Sequence, residues 1–306
     1  LFARNHKSGR VQINLELTDG DDTWGYFLSF TNEPRGRRRP IVVEETVTLN
    51  DRTLLQRPNN DDNADPELLT QTHLEQITAN RKFRPVAERL RLMSYLHLVP
   101  QLVRDPSRVI ERDDDPFGSD VIVQMNSTDK RTRDARLRRM ERALRAAVPQ
   151  FESLQITTDP SGRPHLRAGY RNWRQAPTHQ TEADFSDGTL RLIGLLWALA
   201  KTPDAGGTLL LEEPELSLSP EIVRVLPTVL ASAQRAKDAQ VILTTHSSEL
   251  LDDEGVNPAE VLVLTVTENG TEGFVIDERP ELVADIADGI STSEVVLPFV
   301  RPENIA

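Results

Sequence analysis

The stretch "LLLEEPELSLSP", Leu209 to Pro220, sets two adjacent carboxylates, Glu212 and Glu213, against a run of bulky aliphatic residues. Side chains alternate across a strand, so one of the pair must face a covered region. A charge taken out of water needs a partner, and a cation for one carboxylate with a reacting water for the other would supply it. The pattern therefore favours a metal-and-nucleophile site over charges that merely leave a core at a strand end. Two more stretches carry groups suited to such a site. "VILTTHSSELLDD" places His246 at the tip of a second apolar run, Val241 to Thr245. "FSDGTLRLIGLLWALA" places Ser186, Asp187, Gly188 and Thr189 at a helix start, where small residues and free backbone N–H groups can bind an anion such as phosphate. Ser186 is equally an ordinary N-cap and Asp187 opposes an anion, so both readings stand.

These residues need elements to hold them. Gly206 and Gly207 supply a turn into a buried strand, Thr208 to Leu211, whose C-terminal end carries the two glutamates. Ser219 is a natural N-cap with Pro220 at the first helical position and Glu221 in the first turn. Ile222, Val225, Leu226 and Val229 then form one apolar face, and Pro227 predicts a kink or local irregularity. Leu190, Ile193 and Trp197 mark the inner side of the preceding helix. Helix, apolar strand, helix, apolar strand is the alternation of a parallel sheet covered by helices, which places ligands at the strands' C-terminal ends.

Upstream, residues 11–49 read as an antiparallel meander of "VQINLEL", "GYFLSF" and "IVVEETVTL", with turns at "TDGDD" and "RGRRRP". "RPNNDDNADP", Arg57 to Pro66, has almost no apolar residue and reads as a surface loop or mobile linker that marks a boundary. Residues 67–148 read as mostly helical, including "PVAERLRLMSYLHLV", with a polar break at "RDDDPFGSD". "FESLQITTD" and "HLRAGYRNW" form a hairpin around "PSGR", and "VLVLTVTENGTEGFVI" forms a strand pair followed by short helices. The run Lys130 to Arg145 holds Lys130, Arg131, Arg133, Arg136, Arg138, Arg139, Arg142 and Arg145 against two acids. It is a solvated helix face or a phosphate or nucleic-acid contact.

The formal net charge of -12 argues against a protein that coats nucleic acid over its whole surface. An apolar fraction of 38% without any run of about 18 apolar residues describes a soluble chain with no membrane span. The absence of cysteine removes disulfides, thiol nucleophiles and thiolate metal sites, and suits a reducing cytoplasm.

In chain order, "FSDGTLRLIGLL", "TLLLEEPELSLSP" and "VILTTHSSELLD" resemble the signature motif, the Walker B motif with its D-loop, and the His-switch of ABC-type ATPases. The resemblance is closer to the AAA-labelled, ABC-type group related to RecF, SMC heads and OLD-family proteins than to transporter subunits. It implies an α/β fold: an ABC-type P-loop NTPase head, 1–306, with an antiparallel β subdomain (1–57), an Arg-rich helical lobe (66–150) and a core (181–306) whose parallel sheet is covered by helices. It further implies ATP and Mg²⁺ as cofactors, Glu213 as the base that orients water, Glu212 as the metal residue and His246 as the contact to the γ-phosphate. Ser186, Asp187, Gly188 and Thr189 would cap a nucleotide held mainly by a partner subunit in an ATP-dependent homodimer. Leu218 and Ser219 would form the dimer-facing loop, with DNA or a partner protein as the target.

Glu212 stands where many ABC ATPases have aspartate, and Asp187 stands where transporters have glycine. No G-x-x-x-x-G-K-[ST] occurs in the 306 residues; the pairs Lys7-Ser8 and Lys201-Thr202 lack the glycines that bring backbone N–H groups to phosphate. In the family this loop precedes the meander, so the chain reads as one without that opening segment and weak in ATP binding by itself. Gln101 and Gln124 are both open as the Q-loop residue. A non-enzymatic binding or regulatory module is the alternative function.

Overall fold

Alternating short strands at the N-terminus and helix-separated apolar strands later in the chain build separate sheets. The computed structural model describes residues 9–105, 115–173, 177–202, 207–267 and 270–301. The chain divides into two units, Leu1–Arg91 with Val266–Glu272, and Leu92–Thr265 with Gly273–Ala306.

In the first unit, β1 (Val11–Asp19), β2 (Asp22–Asn32), β3 (Pro40–Leu49) and β4 (Arg52–Arg57) form an antiparallel meander in sequence order. The β3–β4 turn uses Asn50 and Asp51, both at positive φ (47° and 66°), the geometry that matches strand twist in a two-residue hairpin. Trp24, Tyr26 and Val47 are buried with Phe83 and with Val86 of a later helix.

The segment 57–66 departs from the expected linker. Asn59 caps a short helix, α1 (Asn60–Ala64), with a complete capping box. The Arg57 side chain is fully buried, pairing with Glu45 at 2.9 Å and Asp62 at 2.6 Å. It also donates to the carbonyls of Leu68 and Gln71. Polarity misled the reading here because charged groups that satisfy one another can be buried as a set. The helix expected through "PVAERLRLMSYLHLV" is present only as α2 (Arg84–Arg91), after which β5 (Met93–Leu96) is a strand. A four-residue segment, "MSYL", is too short for its period to decide between helix and strand, and its ladder partner lies over 100 residues away.

The second unit continues with α3 (Pro100–Arg104), α4 (Val121–Ser127) and α5 (Lys130–Ala147). Next come β6 (Phe151–Thr158), β7 (Pro164–Tyr170) and β8 (Thr178–Thr181), an antiparallel sheet that extends the expected hairpin by one strand. The site-bearing part comprises α6 (Asp187–Lys201), β9 (Thr208–Glu212), α7 (Pro220–Lys237), β10 (Gln240–Thr244) and α8 (Ser248–Leu251). β11 (Leu262–Thr267), β12 (Gly270–Val275), α9 (Pro280–Ala287) and α10 (Thr292–Val300) complete the described chain. Gly206 and residues 112–114 of the polar break lie outside the described residues, while Asp115, Ser119 and Asp120 of that break are buried.

The parallel sheet has the order β10-β9-β5, with β9 in the centre. On one face, Leu209 and Leu211 pack with Leu195, Ala198 and Leu199 of α6 and Val223, Leu226 and Leu230 of α7. Among the described residues the other face is open, leaving Tyr95 42% and Ile242 50% exposed, so the helical cover is one-sided. α6 buries residues all round, as a helix inside a core does. α7 runs as one helix across Pro227, and its buried row is Val223, Leu226 and Leu230, with Val225 pointing to solvent.

Candidate active site

Parallel pairing puts the ends of β9 and β10 side by side, with Glu212 opposite Thr244. From there the chain leaves β9 through a tight turn. The Glu213 N–H donates to the Thr244 carbonyl at 3.0 Å and is shared with the Thr244 hydroxyl at 3.3 Å. Glu213 itself adopts φ 41° and Ser217 φ 63°, left-handed conformations that non-glycine residues seldom take. This strained turn aims the Glu213 carboxylate at His246, whose Nε2 lies 3.8 Å from Oε1. The imidazole is 86% exposed, so a ligand can reach it. Ser247 caps α8 behind it by accepting the Leu250 N–H.

Glu212 points elsewhere, as strand alternation requires. Its carboxylate accepts the Tyr95 hydroxyl and stands 3.8 Å from Nδ1 of His97, both from the end of β5 and the residue that follows it. The hydrogen bond to Glu212, with burial, holds the Tyr95 phenol above its ordinary pKa. Neither Tyr95 nor His97 was legible as a site residue while "MSYLHLV" read as helix.

The helix start at Ser186 lies beside the same turn. Ser186 accepts the Thr189 N–H at 3.1 Å and exchanges a 2.9 Å contact with its hydroxyl, so its side chain serves as the N-cap of α6. Asp187 is held by Arg104 at 2.6 Å and by Gln101 at 3.4 Å. Gly188 is required by packing: a Cβ there would sit 2.3 Å from the Ser217 carbonyl oxygen and 3.8 Å from Cα of Leu218. Leu218 is half-buried among core residues, and Ser219 stands at the N-cap of α7 without a side-chain capping bond. Arg191 stands one turn into α6. Burial pushes its guanidinium below the ordinary value while the charges of Asp187 and Glu213 act in the opposite sense. Its Nε is buried without a hydrogen-bond partner among the described residues. The sequence signal is a single charge within the apolar stretch Leu190–Ala200.

Residues 1–252 match the protein family described as "AAA domain, putative AbiEii toxin, Type IV TA system". The chain belongs to this family. No curated protein matches this AAA domain. Among solved structures it is similar to the SMC head domain from Thermotoga maritima, with 11% identity over 88% of this chain and 74% of that one and a TM-score of 0.43. It is also similar to a Pyrococcus furiosus Smc head with an extended coiled coil bound to the C-terminal domain of ScpA, with 11% identity, 92% and 81% coverage and a TM-score of 0.41.

Of the two glutamines left open in the AAA domain, Gln101 meets Asp187, whereas Gln124 lies at the opposite end of α6. There Gln124 accepts from Trp197 and from Lys201 at 3.1 Å and donates to Asp120 at 2.6 Å. The basic run forms α5 as one helix, but its arginines are not equivalent. Arg136 stacks over Trp197 at 5.3 Å, and Arg133 donates to the Asn126 carbonyl. Arg145 donates to the Glu152 carbonyl. Lys130, Arg131, Arg138, Arg139, Arg142 and Arg145 are exposed, and helical spacing puts Arg131, Arg138, Arg142 and Arg145 in one stripe. No described helix is long and apolar enough to cross a membrane.

Mg²⁺ usually takes one or two carboxylates and completes its shell with water and phosphate. Glu212, a carboxylate at the C-terminal end of β9, fits as one such donor. No group of three or more His, Asp or Glu among the described residues forms a cage by itself.

Proposed function

We propose that this AAA domain hydrolyses ATP, with Glu213 as the base that orients the attacking water and His246 as the contact to the γ-phosphate. The observation that carries the reading is the 3.8 Å approach of Glu213 to His246 at the ends of adjacent parallel strands, where sheets of this kind bind ligands. A carboxylate held by its turn and beside an exposed imidazole can accept a proton from water while the imidazole meets phosphate oxygen. Glu212 is the residue that would hold Mg²⁺, which when bound neutralises charge on the phosphates. Tyr95 fixes the rotamer of that carboxylate. Ser186, Asp187, Gly188 and Thr189, with Leu218 and Ser219 packed beside them, form the face offered to a second copy in an ATP-dependent homodimer. The exposed stripe of α5 is the surface for DNA, in maintenance or defence, and a partner protein is a further target. The setting is the cytoplasm.

The 306 residues contain no G-x-x-x-x-G-K-[ST] loop, the pattern whose backbone N–H groups and lysine grip the β- and γ-phosphates in P-loop proteins. The test compares ATP binding and phosphate release for the chain alone and for the chain carrying an N-terminal strand, such a loop and a helix. The chain alone is expected to bind ATP poorly. The extended protein is expected to hydrolyse it slowly with Mg²⁺, and Glu213→Gln to lower that rate by about 10²-fold or more. Hydrolysis that survives Glu213→Gln rejects the assignment. An extended protein that binds partners without any hydrolysis leaves the binding-module reading instead.

A further inference from the structure

Glu215, two residues beyond Glu213, has no part in the chemistry above, yet its side chain is more tightly enclosed than either Glu212 or Glu213. It is 9% exposed, and one oxygen, Oε1, accepts both the Thr245 hydroxyl and the His246 backbone N–H, the latter at 3.3 Å. The Thr245 hydroxyl in turn accepts the Ser247 N–H at 2.9 Å. The second oxygen, Oε2, is buried without a hydrogen-bond partner among the described residues, an arrangement that costs free energy and that an apolar residue would avoid. On its backbone side, the Glu215 carbonyl accepts the Leu218 N–H at 3.0 Å, at the start of the turn packed against Gly188. One residue thus reaches the helix-start face in one direction and the histidine turn in the other.

We propose that Glu215 is a positioning residue: a strut that fixes the His246 turn relative to Glu213 and links it to the Leu218–Ser219 turn. Because the Glu213 N–H is already tied to Thr244, the Glu215 carboxylate adds the second tie that sets where the imidazole stands. The inference deepens the ATPase reading and rests on it for its purpose, but its geometry is tested without nucleotide.

The experiment follows the His246 imidazole cross-peak by NMR in the 306-residue chain. In the otherwise native chain, Glu213→Gln is expected to displace that peak, since the two side chains are 3.8 Å apart. In a Glu215→Leu background the same substitution is expected to leave it nearly in place. Glu215→Gln, which keeps the Oε1 acceptor, is expected to restore the displacement. A merely structural role would change the melting temperature and leave the Glu213–His246 coupling intact. Full displacement in Glu215→Leu overturns the proposal, as does equal loss in Leu and Gln. If Glu215→Leu does not fold, Thr245→Val removes the donor at the other end, and undiminished displacement there overturns it too. The expected NMR result together with no ATP hydrolysis in the extended protein would leave the strut standing and reject the ATPase reading.

Discussion

Around Arg57, the carboxylates of Glu45 and Asp62 are buried with a guanidinium whose three nitrogens all have acceptors, and Glu45 also receives the N–H groups of His73 and Leu74. Burial would raise the Asp62 carboxyl, but the bonds from Arg57 and Asn59 outweigh it and hold it below its ordinary value. Around Glu213 the same chemical types are arranged in the opposite sense: a left-handed backbone, an exposed imidazole at 3.8 Å and a neighbouring carboxylate with one unsatisfied oxygen. The first set is closed and needs nothing from outside. The second is strained and incompletely paired, the condition in which charge remains available to a ligand. Charged residues in the sequence looked alike in both places; satisfaction of their hydrogen bonds separates a structural cluster from a candidate active site.

Removing one partner from each set breaks the comparison in different ways. Arg57→Met leaves two buried carboxylates without a cation and is expected to cost about 3–5 kcal/mol in urea denaturation. A loss below about 1 kcal/mol would mean that the cluster is wetter than it looks. Gly188→Ala drives a methyl group onto backbone rather than onto a flexible side chain. It is expected to destabilise by roughly 1–3 kcal/mol on the same measure, and nucleotide is not needed to see it. Glu213→Gly relieves the left-handed conformation and is expected to stabilise the chain by about 0.5–1 kcal/mol, and to remove hydrolysis in the extended protein. Simple destabilisation would show that the turn is not strained. The smallest effect concerns His165, which sits 2.6 Å from the buried Glu182 and 3.5 Å from Asp159. The hydrogen bond to Glu182 raises its pKa above the ordinary value. Its contribution is therefore complete below about pH 6.5 and is lost as pH rises through the raised value. The melting-temperature gap between the native chain and His165→Gln is expected to shrink from about pH 5.5 to pH 8.5. A constant gap would place His165 with the neutral packing of the β6–β7 hairpin.

Much of the site was legible because its signals are local. An apolar run ending in Glu212, an N-cap at Ser186 and a histidine after Val241–Thr245 each depend on residues close in sequence, and the strands and helix they imply are present. What escaped depends on partners far away. Tyr95 and His97 were hidden because a four-residue strand cannot be told from helix until β9 lies beside it. Glu215 was one more acid in "EEPE" until Thr245 and His246 closed over it. Arg136 counted as part of a cationic face until Trp197 came beneath it.

By itself the sequence determined the types and order of the candidate groups and the strand ends that carry them, since periodicity and capping act within a few residues, while the family entered through the resemblance of three short motifs. Tertiary structure decided which charges are shared and which are left open, because burial and hydrogen-bond satisfaction are set by chain segments that meet only after folding. Arg57 and Glu213 show the division: both are charged residues just past or at a strand end, and only their neighbours in the fold make one the centre of a closed structural cluster and the other a candidate base.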